Sequence, residues 1–156
     1  MKKENITHGL CVSSRIFDTM KREYPSKILL AWSEAIGGNV ELREWLIANE
    51  YPELGLFVYA LNLKQDARDW LMDNGFPHLM ALIRGAEGDV NALLWLRKFE
   101  YDVLEKVARS ADNDELATNW LLMNQQPEMA RVSLKIRAVK NDIEFNNNDM
   151  HRISPE

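Results

Sequence analysis

Residues 64–88 read KQDARDWLMDNGFPHLMALIRGAEG, and the same arrangement returns every 25 residues along the chain. Trp45-Leu46, Trp70-Leu71, Trp95-Leu96 and Trp120-Leu121 share one phase, which accounts for four of the five tryptophans. Leu54, Leu79, Leu104 and Met129 keep the offset, as do Ala67, Ala92 and Ala117, with Leu42 in the first copy. Pro52, Pro77 and Pro127 are in strict phase, and Pro25 lies two residues off it. Self-similarity at a period of roughly 20 to 50 residues marks repeat architectures, so the period decides the fold class before any finer reading.

Each copy divides into two short helices. The first starts after Asn39, Lys64, Asp89 or Asp114. Three of these four carry a side-chain oxygen able to accept from a free amide of the first helical turn. Its apolar positions, 67, 70 and 71 in the copy quoted, form the i, i+3, i+4 stripe of an amphipathic helix. Asn74-Gly75 then ends it, since both residues tolerate the left-handed conformation of a helix terminus. The second helix opens on Tyr51-Pro52 or Phe76-Pro77, and proline suits a first position whose amide has no partner. Tyr101-Asp102 puts an acid there instead, which the helix dipole favours. Leu79, Leu82, Ile83 and Ala86 give this helix one inward face.

Residues 14–36 read as a degenerate leading copy, with Tyr24-Pro25 ahead of Ile28, Ala31, Trp32 and Ala35, and with Phe17 and Met20 in place of the Trp-Leu pair. Terminal repeats are atypical because one side lacks a neighbour. The last second helix is expected over about 127–140, followed by a loose polar tail through Asn146-Asn147-Asn148-Asp149. The expected architecture is an all-α, right-handed α-solenoid of antiparallel helix pairs: an extension at 1–13, a repeat domain at 14–140 holding about four full repeats, and a tail at 141–156.

In organisation the chain resembles the α-solenoid helix-pair proteins of the tetratricopeptide and HEAT class, although its unit of 25 residues is shorter than theirs. It is also similar to short-repeat families with a Trp-Leu, aromatic-Pro, Leu pattern. The resemblance spans about residues 14–140 and implies architecture only, because neither motif carries a catalytic or binding residue.

The 156 residues suffice for one domain, and the apolar fraction of 46% and charged fraction of 28% are ordinary for a soluble globular protein. The net charge of −5 weighs against a nucleic-acid face over the whole surface but leaves room for a local basic patch. One cysteine, Cys11, excludes an intramolecular disulfide and suits a reducing compartment. No signal-peptide core and no apolar run of membrane-spanning length is present, so the expected location is cytoplasmic, without membrane contact. A mature secreted form would read the same way.

Few residues invite chemistry. His8, His78 and His151 lack His or Cys partners at helical spacing, so no metal site is expected, and Cys11 has no nucleophile context. Arg84-Gly85-Ala86-Glu87-Gly88 is not followed by Lys-Ser or Lys-Thr and reads as a helix end rather than a phosphate loop. No cofactor and no catalysis are expected. The tryptophans sit on the stripe of their leucine and alanine neighbours and are read as core.

Charge is distributed unevenly. Arg131, Lys135, Arg137 and Lys140 make the last helix basic, while Glu41, Glu44, Glu50 and Glu53 make the first full copy acidic, so an array polar from end to end is expected. Tyr59, Arg84, Arg109 and Leu134 share a phase outside the buried stripe of the second helix and are expected to line one surface ridge. Arginine and tyrosine flanked by apolar groups are enriched at protein interfaces. The function expected is therefore a non-catalytic interaction module that binds a protein or peptide on the repeat surface, with these four residues as its candidate binding site. The alternative is a nucleic-acid-binding helical-repeat protein using the basic last helix.

Overall fold

A computed structural model describes residues 23–152, with side chains described as far as residue 148. Among the described residues there are only helices: α1 Ser26–Ile36, α2 Val40–Ala48, α3 Pro52–Leu61, α4 Gln65–Asp73, α5 Pro77–Ala86, α6 Val90–Lys98, α7 Asp102–Ala111, α8 Glu115–Met123 and α9 Pro127–Arg152. The chain is an all-α helical repeat. Residues 1–22, which hold Cys11, His8, Phe17 and Met20, lie outside the described part, as does the side chain of His151.

Every link between consecutive helices is three residues long. Its middle residue is always left-handed: Gly38, Glu50, Leu63, Gly75, Gly88, Glu100, Asn113 and Gln125 all have φ between 59° and 115°. The third residue of each link sends its N–H back to a carbonyl five residues earlier, from Asn39 to Glu34 through Gln126 to Leu121, at 2.8 to 3.1 Å. This is the Schellman closure of a helix end, and repeated in all eight links it reverses the chain at every step. The same third residue then starts the next helix. Asn39 accepts from the Leu42 N–H, Asp89 from those of Asn91 and Ala92, and Asp114 from those of Leu116 and Ala117, whereas Lys64 makes no side-chain cap.

Because the chain reverses at each link, alternate helices run the same way. The odd-numbered helices pack side by side as an inner layer, and each even-numbered helix lies outside the groove between two of them. At one repeat phase every inner helix is fully buried: Trp32, Phe57, Leu82, Val107 and Val132 are all at most 1% exposed. Leu46, Leu71, Leu96 and Leu121 seal the outer helices onto this core at 0% exposure. Close approach needs small residues. A β-carbon on Gly55 would meet Ile47 Cγ1 at 2.4 Å and the Arg43 carbonyl at 2.8 Å, and one on Gly85 would meet Leu93 and Ala108. Gly85 therefore serves helix packing, and Gly88 is the residue that ends α5.

The array closes on itself. α9 packs along α1, so the five inner helices form a ring rather than the open end that a solenoid implies. Ser26 Oγ donates to Glu128 at 2.7 Å, and Arg131 pairs with Glu34 at 2.9 Å across the closure. The expected end-to-end polarity does not arise, because the basic last helix lies against the first. Nor does the helix stop near residue 140. α9 continues to Arg152, since Val139 and Ile143 prolong the stripe of Val132 and Ile136 and, with Ala35 and Val58, line a cleft against α1 and α3.

Of the tryptophans read as core, Trp45 alone departs from the expectation: Trp32 is buried, Trp70, Trp95 and Trp120 are half-buried and packed against the core, and Trp45 is 45% exposed. In each Trp-Leu pair the leucine faces the ring and the tryptophan lies at the edge of the stripe. Trp70 stacks on Phe76 (5.8 Å, 8°) and Trp95 on Tyr101 (5.9 Å, 6°), so these indoles cover the aromatic residue that opens the next inner helix.

Candidate functional site

Tyr59, Arg84 and Arg109 each stand third from the end of an inner helix, and their carbonyls accept the Schellman bonds from Lys64, Asp89 and Asp114. Leu134 holds the equivalent position in the longer α9. The position faces outward, yet no hydrogen bond, ion pair or ring contact joins any two of the four. The Tyr59 hydroxyl donates to Glu44 at 2.7 Å, and the Arg43 guanidinium lies 4.3 Å over its ring. That bond raises the Tyr59 hydroxyl pKa and, with a second from Arg43, lowers that of the Glu44 carboxyl. Arg109 is paired with Glu105, a buried carboxylate that also meets Arg97 at 3.1 Å and Lys106 at 3.2 Å. Burial alone would raise the Glu105 carboxyl, but the hydrogen bonds from Arg109 and Lys106 outweigh it and hold it below the ordinary value. Arg84 and Leu134 are exposed.

The basic face of α9 is engaged internally. Arg137 donates to the Ser110 carbonyl at 2.6 and 2.9 Å and pairs with Glu115, Lys140 is buried against Asp112 and the Ala86 carbonyl, and Arg131 holds Glu34. These cations tie α9 to α1, α5, α7 and α8. Phosphate binding through Arg131, Arg137 or Lys140 would have to break these pairs first.

Two surfaces stand out instead. The first is an apolar stripe on α8, where Leu116, Trp120 and Met123 share a face at i, i+4, i+7 spacing. Leu116 is 80% and Met123 83% exposed, beside Leu122 at 56%.

The second is a cavity of about 570 Å³ at the end of the ring where the inner helices begin. Tyr24, Trp32, His78 and Tyr101 give it aromatic walls, with Leu29 and Met129 among its apolar lining. Glu23, Glu100 and Asp102 bring carboxylates, and no lysine or arginine is among its described lining residues. His78 and Tyr101 stack at 5.3 Å and 11°. Burial lowers the His78 imidazole to about 4 and raises the Tyr101 hydroxyl to about 12, so both are neutral at pH 7. The indole Nε1 of Trp32 and the imidazole Nδ1 of His78 are buried without a hydrogen-bond partner, which is a cost to the fold. Sequence periodicity assigned Tyr24 and Tyr101 to turns and Trp32 to the core. What it could not show is that ring closure brings residues from α1, α5, α7 and α9 around one opening.

Among the described residues no helix is long and apolar enough to cross a membrane, and no three potential metal ligands come together. Compared with protein-family models, with curated proteins and with solved structures, the chain matches none.

Proposed function

We propose that the protein is a non-catalytic interaction module of the cytoplasm that binds a protein or peptide on its helical-repeat surface. The observation that supports this most is the stripe of Leu116, Trp120 and Met123 on α8. Large apolar side chains at 80% and 83% exposure on one face of a nine-residue helix are the composition of a contact patch rather than of a solvated face. The organisation points the same way, since stacked helix pairs of the tetratricopeptide and HEAT kind present extended surfaces to partners.

The test compares affinity capture from native lysate by the wild-type protein and by a Leu116→Glu/Met123→Glu variant, with bound proteins identified by mass spectrometry. A partner retained by the wild type and lost by the variant, with the thermal midpoint unchanged, is the expected result. Identical capture by both proteins removes the proposal for this face.

A further inference from the structure

We propose that the face built by α6, α7 and α8 is the docking site for an acidic, apolar peptide segment. Its carboxylates meet Arg97, Lys106 and Arg109, and its apolar side chains lie on Leu116, Trp120 and Met123. The inference deepens the reading of the protein as an interaction module and rests on it, because the apolar half of this site is the stripe on α8.

The positive half is arranged around one carboxylate. Glu105 is 2% exposed, and its Oε1 accepts from the Nε of Arg97 at 3.1 Å and from the Nε of Arg109, while its Oε2 meets the Lys106 ammonium at 3.2 Å. Among the described residues no other carboxylate pairs with these cations. Three positive charges therefore face one negative charge, and two are uncompensated. On α9 the arrangement is different, because Arg131, Arg137 and Lys140 each hold a separate carboxylate. Arg97 and Arg109 both reach Glu105 through Nε alone, so among the described residues the Nη groups of each guanidinium make no hydrogen bond. Those N–H groups can take a carboxylate in the two-pronged geometry that arginine favours. Convergence on one oxygen also holds the two guanidinium groups side by side, where like charges repel. An arriving carboxylate offsets that repulsion and breaks no pair to Glu105.

The apolar half adjoins these cations. Lys106 Nζ lies 5.6 Å over the Trp120 ring, so the positive surface of α7 touches the stripe of α8. Leu116 and Met123 flank Trp120 at one helical turn on either side, and both are exposed. An occupant must then bring negative charge and aliphatic surface together. A free inorganic anion meets the cations and leaves the stripe in water, and a nucleic-acid strand lacks aliphatic side chains. A peptide of glutamate or aspartate interleaved with leucine-like residues satisfies both halves. The chain as a whole carries a net charge of −5, so this excess of positive charge belongs to the place and not to the composition.

The experiment measures fluorescence polarisation of the full-length protein with a labelled hexapeptide of alternating glutamate and leucine, beside a counterpart carrying arginine for glutamate. The glutamate peptide is expected to bind about tenfold or more tightly than its counterpart, with affinity falling as salt rises. Arg97→Gln is expected to weaken binding by about threefold, and Arg97→Lys, which keeps the charge, by less than about twofold. Arg97 is exposed and its loss leaves Glu105 with Arg109 and Lys106, so the thermal midpoint of Arg97→Gln should stay nearly unchanged. Leu116→Ser/Met123→Ser removes apolar surface without adding charge and is expected to weaken binding by about tenfold. Equal affinity for the two peptides, or unchanged affinity in Arg97→Gln or in the serine variant, overturns the proposal. If the glutamate peptide fails to bind while Leu116→Glu/Met123→Glu still loses its captured partner, the acidic-peptide assignment falls and the interaction module stands.

Discussion

Acid should destabilise this protein well above the carboxylate range, and one side chain should be responsible. His78 is 3% exposed between the rings of Phe76 and Tyr101, and burial depresses its imidazole from 6.5 to about 4. The unfolded chain therefore binds a proton on His78 at a pH where the folded chain does not, so stability rises with pH through that window and falls as pH drops below 6.5. At about 1.4 kcal/mol per unit, the full depression corresponds to roughly 3 kcal/mol between pH 7 and pH 4, of which about 2 kcal/mol is lost by pH 5. Glu44, Glu105 and Glu128 have lowered carboxyl values. Their stabilisation is present above the unfolded carboxylate value of 4.5 and is lost below it, so they do not overlap the window from pH 7 to 5. Urea unfolding at pH 7, 6 and 5 should give a loss of about 2 kcal/mol for the wild type and less than about 0.5 kcal/mol for His78→Leu, an apolar replacement of similar volume. Parallel losses in the two proteins would refute the assignment, because the acid sensitivity would then belong to other groups.

Leu63 is left-handed at φ 69° and 56% exposed, so it bears the strain of the link while burying little. Leu63→Gly should raise stability by roughly 1 kcal/mol, read as a higher denaturant midpoint with an unchanged slope. Gly55→Ala should act in the opposite sense, because its β-carbon would meet Ile47 and the Arg43 carbonyl at 2.4 and 2.8 Å. A loss of roughly 1 to 3 kcal/mol in the same assay is expected from the forced separation of α2 and α3.

Much of the scaffold was legible because helix-pair packing repeats its chemistry. The phase of Trp and Leu, the caps at Asn39, Asp89 and Asp114, and the prolines that open α3 and α5 each follow from local rules that hold within one copy. Closure is not local. The period shows which helices are neighbours, but the rotation from one inner helix to the next depends on how closely they approach, which is set at positions such as Gly85 and Ala108. Trp45 departs from the core reading for a similar reason. Trp45 and Leu46 are neighbours on the helix surface, and the stripe alone does not say which is central; Leu46 is fully buried and Trp45 is at the margin. The cavity is not legible in the sequence because Tyr24, Trp32, His78 and Tyr101 are far apart in the chain and line one opening only in the closed ring. Tyr59, Arg84, Arg109 and Leu134 share one register on their helices, with Arg84 and Leu134 exposed and Tyr59 and Arg109 half-buried, but periodicity does not reveal that Glu44 and Glu105 already engage two of them.

The ring has a bearing on how such a sequence can change over time. In an open array a duplicated unit lengthens the stack and leaves its neighbours undisturbed, so copy number drifts freely. Here every inner helix places fully buried side chains in a shared interior, from the indole of Trp32 to the isopropyl group of Val132. Tandem duplication of 25 residues would insert a sixth inner helix into a closed circle and loosen that shared interior, and deletion of a unit would crowd it. Slippage in the gene is thus opposed by the same interior that holds the protein together, and variation is channelled into the outward positions and the links, where length and closure are untouched.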